Sequence, residues 1–110
     1  MRHKVDFDMV LAIVATESSF KPSAQSTMGA VGLMQVEPSS VPRSLRQANL
    51  LAIPTNIKAG VRILVQKLVA AHFDWAQALA YYNGAYSPDC SYVAKVYRHY
   101  YQFRQATLSL

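Results

Sequence analysis

Cys90 is the chain's only cysteine, so no internal disulfide can hold the fold together and packing must do so. Four glycines and five prolines in 110 residues leave no linker-like or low-complexity tract. No internal repeat is visible either. No apolar run reaches the roughly 20 residues needed to cross a bilayer. His3, His72 and His99 lack ligand spacing, and there is no HExxH pattern, Cys/His cluster or nucleotide-binding loop, so neither a metal nor another cofactor is expected. Charge is also sparse, at 15% of residues, and acids are the scarcer sign: six against eleven Lys and Arg.

The chain as a whole is 52% hydrophobic, enough for a core and too apolar for disorder. The length predicts one domain over residues 1–110, expected to be a monomer. A net charge of +5 favours an anionic partner: nucleic acid, acidic lipid, or an acidic polymer such as a bacterial cell wall. Charge alone does not choose among them. "MRHK" and "MVLAIVA" imitate the basic and apolar parts of a signal peptide, but Asp6 and Asp8 interrupt them and the apolar run spans only Met9 to Ala15. The expectation is that no signal peptide is present in this chain.

The periodicity is helical throughout, and the class predicted is all-α. A first helix capped by Asp6 or Asp8 carries Val10, Leu11 and Val14 inward and ends at "SSFKPS", ahead of Pro22. "SAQSTMGA" reads as loop, "VGLMQV" as a short helix stopped by Pro38, and the stretch to Pro54 as irregular with one short helix. "TNIKAGVRILVQKLVAAHF" predicts the longest helix, capped by Thr55, with Ile57, Val61, Leu64 and Leu68 facing inward. "DWAQALAYYNG" predicts a helix capped by Asp74, with Trp75, Ala78, Leu79 and Tyr82 on one face and a close at Asn83-Gly84. A last helix, "SYVAKVYRHYYQF", buries Val93, Val96, Tyr97 and Tyr100.

Glu17 follows Val10 and Val14 at spacings of four and three, which puts a carboxyl on an apolar stripe. Lost solvation there raises a carboxyl's pKa, the property a general acid needs near neutral pH. A helix-end glutamate turned to solvent would show the same spacing, so periodicity alone leaves both readings open.

The residues that follow narrow the choice. Glu17, Ser18, Phe20, Pro22, Ala24, Ser26, Gly29, Ala30, Gly32, Leu33, Met34, Gln35 and Pro38 stand in the order of a known signature. With them the chain resembles the soluble lytic transglycosylase family, whose catalytic domain is lysozyme-like and has a substrate cleft. "NIKAGVRIL", "ALAYYNG" and "YVAKV" resemble further family segments, so the likeness covers roughly Val10 to Tyr101. The resemblance implies cleavage of the β-1,4 bond between N-acetylmuramic acid and N-acetylglucosamine in peptidoglycan, leaving 1,6-anhydro ends, with Glu17 as single general acid and base. Peptidoglycan glycan strands would be the partner. Action would then be at the cell wall, in the periplasm or outside the cell. A phage, a secretion or conjugation apparatus, or a larger enzyme are the settings left open.

The resemblance also assigns catalytic roles to Ser26, assisting Glu17 and the N-acetyl region, and to Tyr82, hydrogen-bonding near the reacting sugar, and it assigns Met34, Gln35, Asn83, Tyr92, Gly29 and Gly32 to the substrate. Each has a plainer reading. Ser26 can make a local turn bond, Gln35 can face solvent, Asn83 can close a helix, Tyr82 and Tyr92 can be core residues, and the glycines can serve a turn. Glu37 stands where the family commonly has an apolar residue, which admits a lysozyme-type hydrolase using Glu17 with Glu37. The loop "SPDC" is short, with Asp89 its one acid, where many family members carry an acidic-Thr pair. A non-catalytic glycan-binding module, or a nucleic-acid binder built on "YVAKVYRHYYQFR", would also fit the charge. Against the nucleic-acid reading, the stripe of Val93, Val96, Tyr97 and Tyr100 is better explained by a core, and no nucleic-acid partner is expected.

Overall fold

The computed structural model describes residues 5–47, 49–84 and 90–108. In chain order they form α1 (Phe7–Ser18), a 3-10 turn (Pro38–Ser40), α2 (Arg43–Gln47), α3 (Ile53–Ala70), α4 (Trp75–Tyr82) and α5 (Cys90–Leu108). Among the described residues there is no strand, only isolated bridges joining Gln25 to Val31 and Val31 to Val36. The all-α expectation holds. No helix of the described residues is long and apolar enough to cross a membrane.

Asp6 caps α1, its carboxylate accepting the Asp8 N–H at 3.0 Å. The helix stops at Ser18, before the proline, because Ser19 turns left-handed at φ 51° and returns its N–H to Ala15. Along its length α1 lies antiparallel to α5. Tyr92 near the start of α5 meets Glu17 at the end of α1, while Tyr100 and Thr107 further along α5 donate to Asp6 and Asp8 at 2.9 and 3.2 Å. Ile13, Met34, Val36, Leu64, Leu79 and Val96 are the large apolar side chains sealed in the core. Val93 and Val96 are buried and Tyr97 and Tyr100 pack partly against them, as a core stripe should.

Three expectations need correction. "VGLMQV" is a tight turn, not a helix: Val31 and Val36 exchange two backbone hydrogen bonds of 2.9 Å across it. Gly32 at φ 79° and Gln35 at φ 50° are left-handed, which no α-helix allows. Second, α3 begins at Ile53 with Ala52 as its cap residue, not at Thr55, since Pro54 sits in a first turn that tolerates proline. Its buried face is Asn56, Ala59, Gly60, Ile63, Leu64 and Leu68, with Ile57 and Val61 only half-buried. Third, α5, at 19 residues against 18 for α3, is the longest described helix. Asp89 lies outside the described residues.

Gly60 shows how closely α3 approaches the turn. A Cβ there would run into the Met34 side chain, meeting its Sδ, its Cβ at 2.7 Å and its Cε at 2.9 Å. Alanine normally favours a helix over glycine by up to about 1 kcal/mol. Met34 has no exposed surface into which it could retreat, so overpacking, typically about 1–3 kcal/mol, should win. Gly60→Ala is therefore expected to lower the midpoint of urea unfolding. A raised midpoint would mean that the contact yields.

Candidate active site

The end of α1 fixes Glu17, held from behind by the returns of Thr16 Oγ to the Ala12 carbonyl (2.8 Å) and Ser18 Oγ to the Val14 carbonyl (3.0 Å). The side chain is half-buried, and Tyr92 donates its hydroxyl to Glu17 Oε2 at 2.7 Å. Burial pushes the Glu17 pKa above its ordinary 4.5, and the Tyr92 hydrogen bond offsets part of that rise. Tyr82 stands close enough for the Glu17 charge to act on it. Burial, then that charge, hold both tyrosine hydroxyls in the protonated form well above the usual range. Both phenols are therefore hydrogen-bond donors, and Tyr82 donates its O–H to the Met34 carbonyl at 2.7 Å.

Met34 and Gln35 arrive on the turn that was expected to be helical. Gln35 is left-handed, and its Nε2 donates to the carbonyls of Ala24 (3.2 Å) and Gly32 (2.9 Å). That fixes the amide and leaves Oε1 as its acceptor end. Beside it runs a cleft of about 160 Å³, lined by Gln35, Glu37, Lys67, Tyr82 and Asn83 among others. Tyr82 thus belongs both to the cleft and to the surroundings of Glu17. Glu17 itself does not line this cleft.

The remaining expected residues fall out unevenly. Ser26 is exposed, and its hydroxyl accepts the Ala30 N–H at 2.9 Å, the local bond of a loop serine. Asn83 follows α4 as its cap residue and is exposed at the cleft. Gly29 is exposed at φ 93°, whereas Gly32 is buried against Asn56. Met34 is sealed in the core, so only its backbone faces the site residues. Glu37, singled out as a departure, is exposed and lines the cleft. Asn56 was given no site role, yet it is fully buried and accepts the Met34 N–H at 2.8 Å. The sequence signal for it was its place at the head of the family-like segment "NIKAGVRIL".

Tyr92→Phe tests the balance at Glu17. The hydrogen bond lowers the carboxyl's pKa, so removing it should raise that pKa further. If the acid form of Glu17 is the active one, the alkaline limb of the pH–rate profile moves to higher pH. A shift to lower pH would mean that Tyr92 favours the protonated carboxyl instead.

The family model described as the transglycosylase SLT domain matches residues 1–102. Membrane-bound lytic murein transglycosylase C of Haemophilus influenzae (strain PittEE) is 40% identical over 73 residues, which is 57% of this chain and 20% of that protein. Membrane-bound lytic murein transglycosylase E of Buchnera aphidicola subsp. Acyrthosiphon pisum (strain APS) is 42% identical over 48 residues, 44% of this chain and 22% of that protein. The matched stretches span about a fifth of the length of these curated relatives. With nearly its whole length matched by the family model, the chain belongs to the transglycosylase SLT domain family.

Proposed function

We propose that this chain is a peptidoglycan lytic transglycosylase, cleaving between N-acetylmuramic acid and N-acetylglucosamine with Glu17 as the sole acid and base. The observation that carries the reading is a half-buried carboxyl whose pKa is raised by burial and which is held in place by the Tyr92 hydroxyl. Protonated Glu17 gives its proton to the glycosidic oxygen as the C1–O bond breaks. The substrate's N-acetyl group stabilises the cationic C1. The carboxylate left on Glu17 then takes the proton of the muramic 6-hydroxyl, whose oxygen closes on C1. Glu17 is protonated again and no water is consumed. An ordinary glycosidase needs a second carboxyl for the nucleophile or the base, but a tethered hydroxyl does not. Such a substrate sets the place of action at the cell wall, and the names of the two relatives, both lytic murein transglycosylases, support that reading.

One observation favours a second reading. Glu37 lines the same cleft as Tyr82 and Gln35, where a carboxylate holding a water would turn the reaction into hydrolysis. Its exposure and its place just before Pro38 make it a poor anchor for that water. Digestion of purified sacculi should therefore yield anhydro-muropeptides, lighter by one water than the hydrolysed products, and Glu37→Met should leave the ratio unchanged. Reducing-end products that vanish in Glu37→Met would make the chain a lysozyme-type hydrolase with Glu37 as its second carboxylate.

A further inference from the structure

Asn56 is the one polar side chain among the described residues that is both fully inaccessible and bonded at three backbone points. Its Nδ2 donates to the Val31 carbonyl at 2.8 Å and to the Leu50 carbonyl at 2.7 Å, and its Oδ1 accepts the Met34 N–H at 2.8 Å. A carboxamide has two donor hydrogens and one acceptor oxygen, and all are used. Two of the three bonds reach the 31–36 turn, and the third reaches the chain entering α3. The amide reaches them only because residue 32 is glycine. A Cβ on Gly32 would collide with the Asn56 amide.

The Met34 peptide is consequently gripped on both sides. Asn56 on α3 accepts its N–H and Tyr82 on α4 donates a hydrogen bond to its carbonyl. The next residue is Gln35, left-handed at φ 50°, a conformation that a long side chain keeps only where its surroundings over-determine it. Gln35 Nε2 in turn donates to the carbonyl of Gly32, inside the segment that Asn56 fixes. We infer that Asn56 is a positioning residue: by pinning Val31 and Met34 from inside the core, it sets the Gln35 amide at the cleft for substrate. This rests on the reading that the cleft holds a glycan strand.

The test uses binding rather than turnover, so it does not depend on which product the enzyme makes. In a Glu17→Gln background, the Kd for soluble N-acetylglucosamine–N-acetylmuramic acid oligomers is measured for Asn56→Asp, Gln35→Ala and the pair together. Aspartate keeps the acceptor for the Met34 N–H and loses the two donations. If Asn56 acts through Gln35, each single change weakens binding by roughly tenfold and the pair is within about twofold of Gln35→Ala alone, the non-additivity of coupled residues. Losses that multiply to about a hundredfold, as for independent sites, would overturn the inference, as would Asn56→Asp binding like its parent. Should Asn56→Asp fail to melt cooperatively, Gly32→Ala takes its place, because it displaces the same amide from the opposite side. Its loss must likewise vanish in the Gln35→Ala background. Glu17→Gln protein that binds no oligomer, with Asn56 and Gln35 intact, would instead bring down the glycan reading itself.

Discussion

Glu17→Gln is expected to slow sacculus digestion by ~10²–10⁴-fold, the usual worth of a positioned general acid and base. The amide keeps the shape and can still accept a hydrogen bond from the Tyr92 hydroxyl, but it cannot give up a proton and take one back. Folding should survive and, near neutral pH, improve. The folded pKa of Glu17 lies above its ordinary 4.5, so the folded state holds this proton more tightly than the unfolded state does. Wild-type stability therefore falls as pH rises from about 4.5 through the folded pKa, and the neutral amide escapes that loss. Thermal melts should show the variant more stable at pH 7 and equal to the wild type below about pH 4. The same shift makes wild-type activity decline on the alkaline side as the acid form is lost. Near-wild-type digestion by the variant would remove Glu17 from the mechanism. A rate that stays flat into strongly alkaline pH would show a solvated carboxyl with no acid role.

The helices were legible where apolar spacing and a cap agreed. Asp6 and Asp74 cap as their positions suggested, and Glu17 lies in line with Val10 and Val14, whose burial accounts for its half-buried state. The turn at "VGLMQV" was not legible, because a short apolar run is compatible with a helix, a strand or a buried turn. Gly32 and Gln35 decide it by their left-handed φ, and the turn they form is bonded through Met34 to Asn56, 22 positions further along the chain. Tyr92 could be read as core or cleft. Its partner is 75 residues away, and only the antiparallel docking of α1 on α5 brings the two together. That docking also carries α5 past Phe103, where the pattern was read to end, as far as Thr107 and its bond to Asp8. Local pattern chose the elements, while the site was assembled by contacts between them.

Met34→Ala is expected to act on stability before it acts on substrate. The family resemblance counts Met34 with the substrate-binding set, yet its side chain has no exposed surface and packs onto the face of α3 at Gly60. Removing it from such a position costs about 2–5 kcal/mol, part lost transfer energy and part residual cavity. The backbone of Gly60 cannot move in to fill the gap, since α3 is fixed there by its own hydrogen bonds and by Asn56. In a chain of this size such a loss should lower the Tm by roughly 10 °C or more. Met34→Leu nearly conserves the volume and should cost less than about 1.5 kcal/mol. At a temperature where Met34→Ala is still folded, glycan affinity should fall far less than in Gln35→Ala, because the Met34 groups facing the site residues are its N–H and carbonyl. A Met34→Ala protein that melts like the wild type but has lost glycan binding would put the side chain in the cleft, as the resemblance alone would have it.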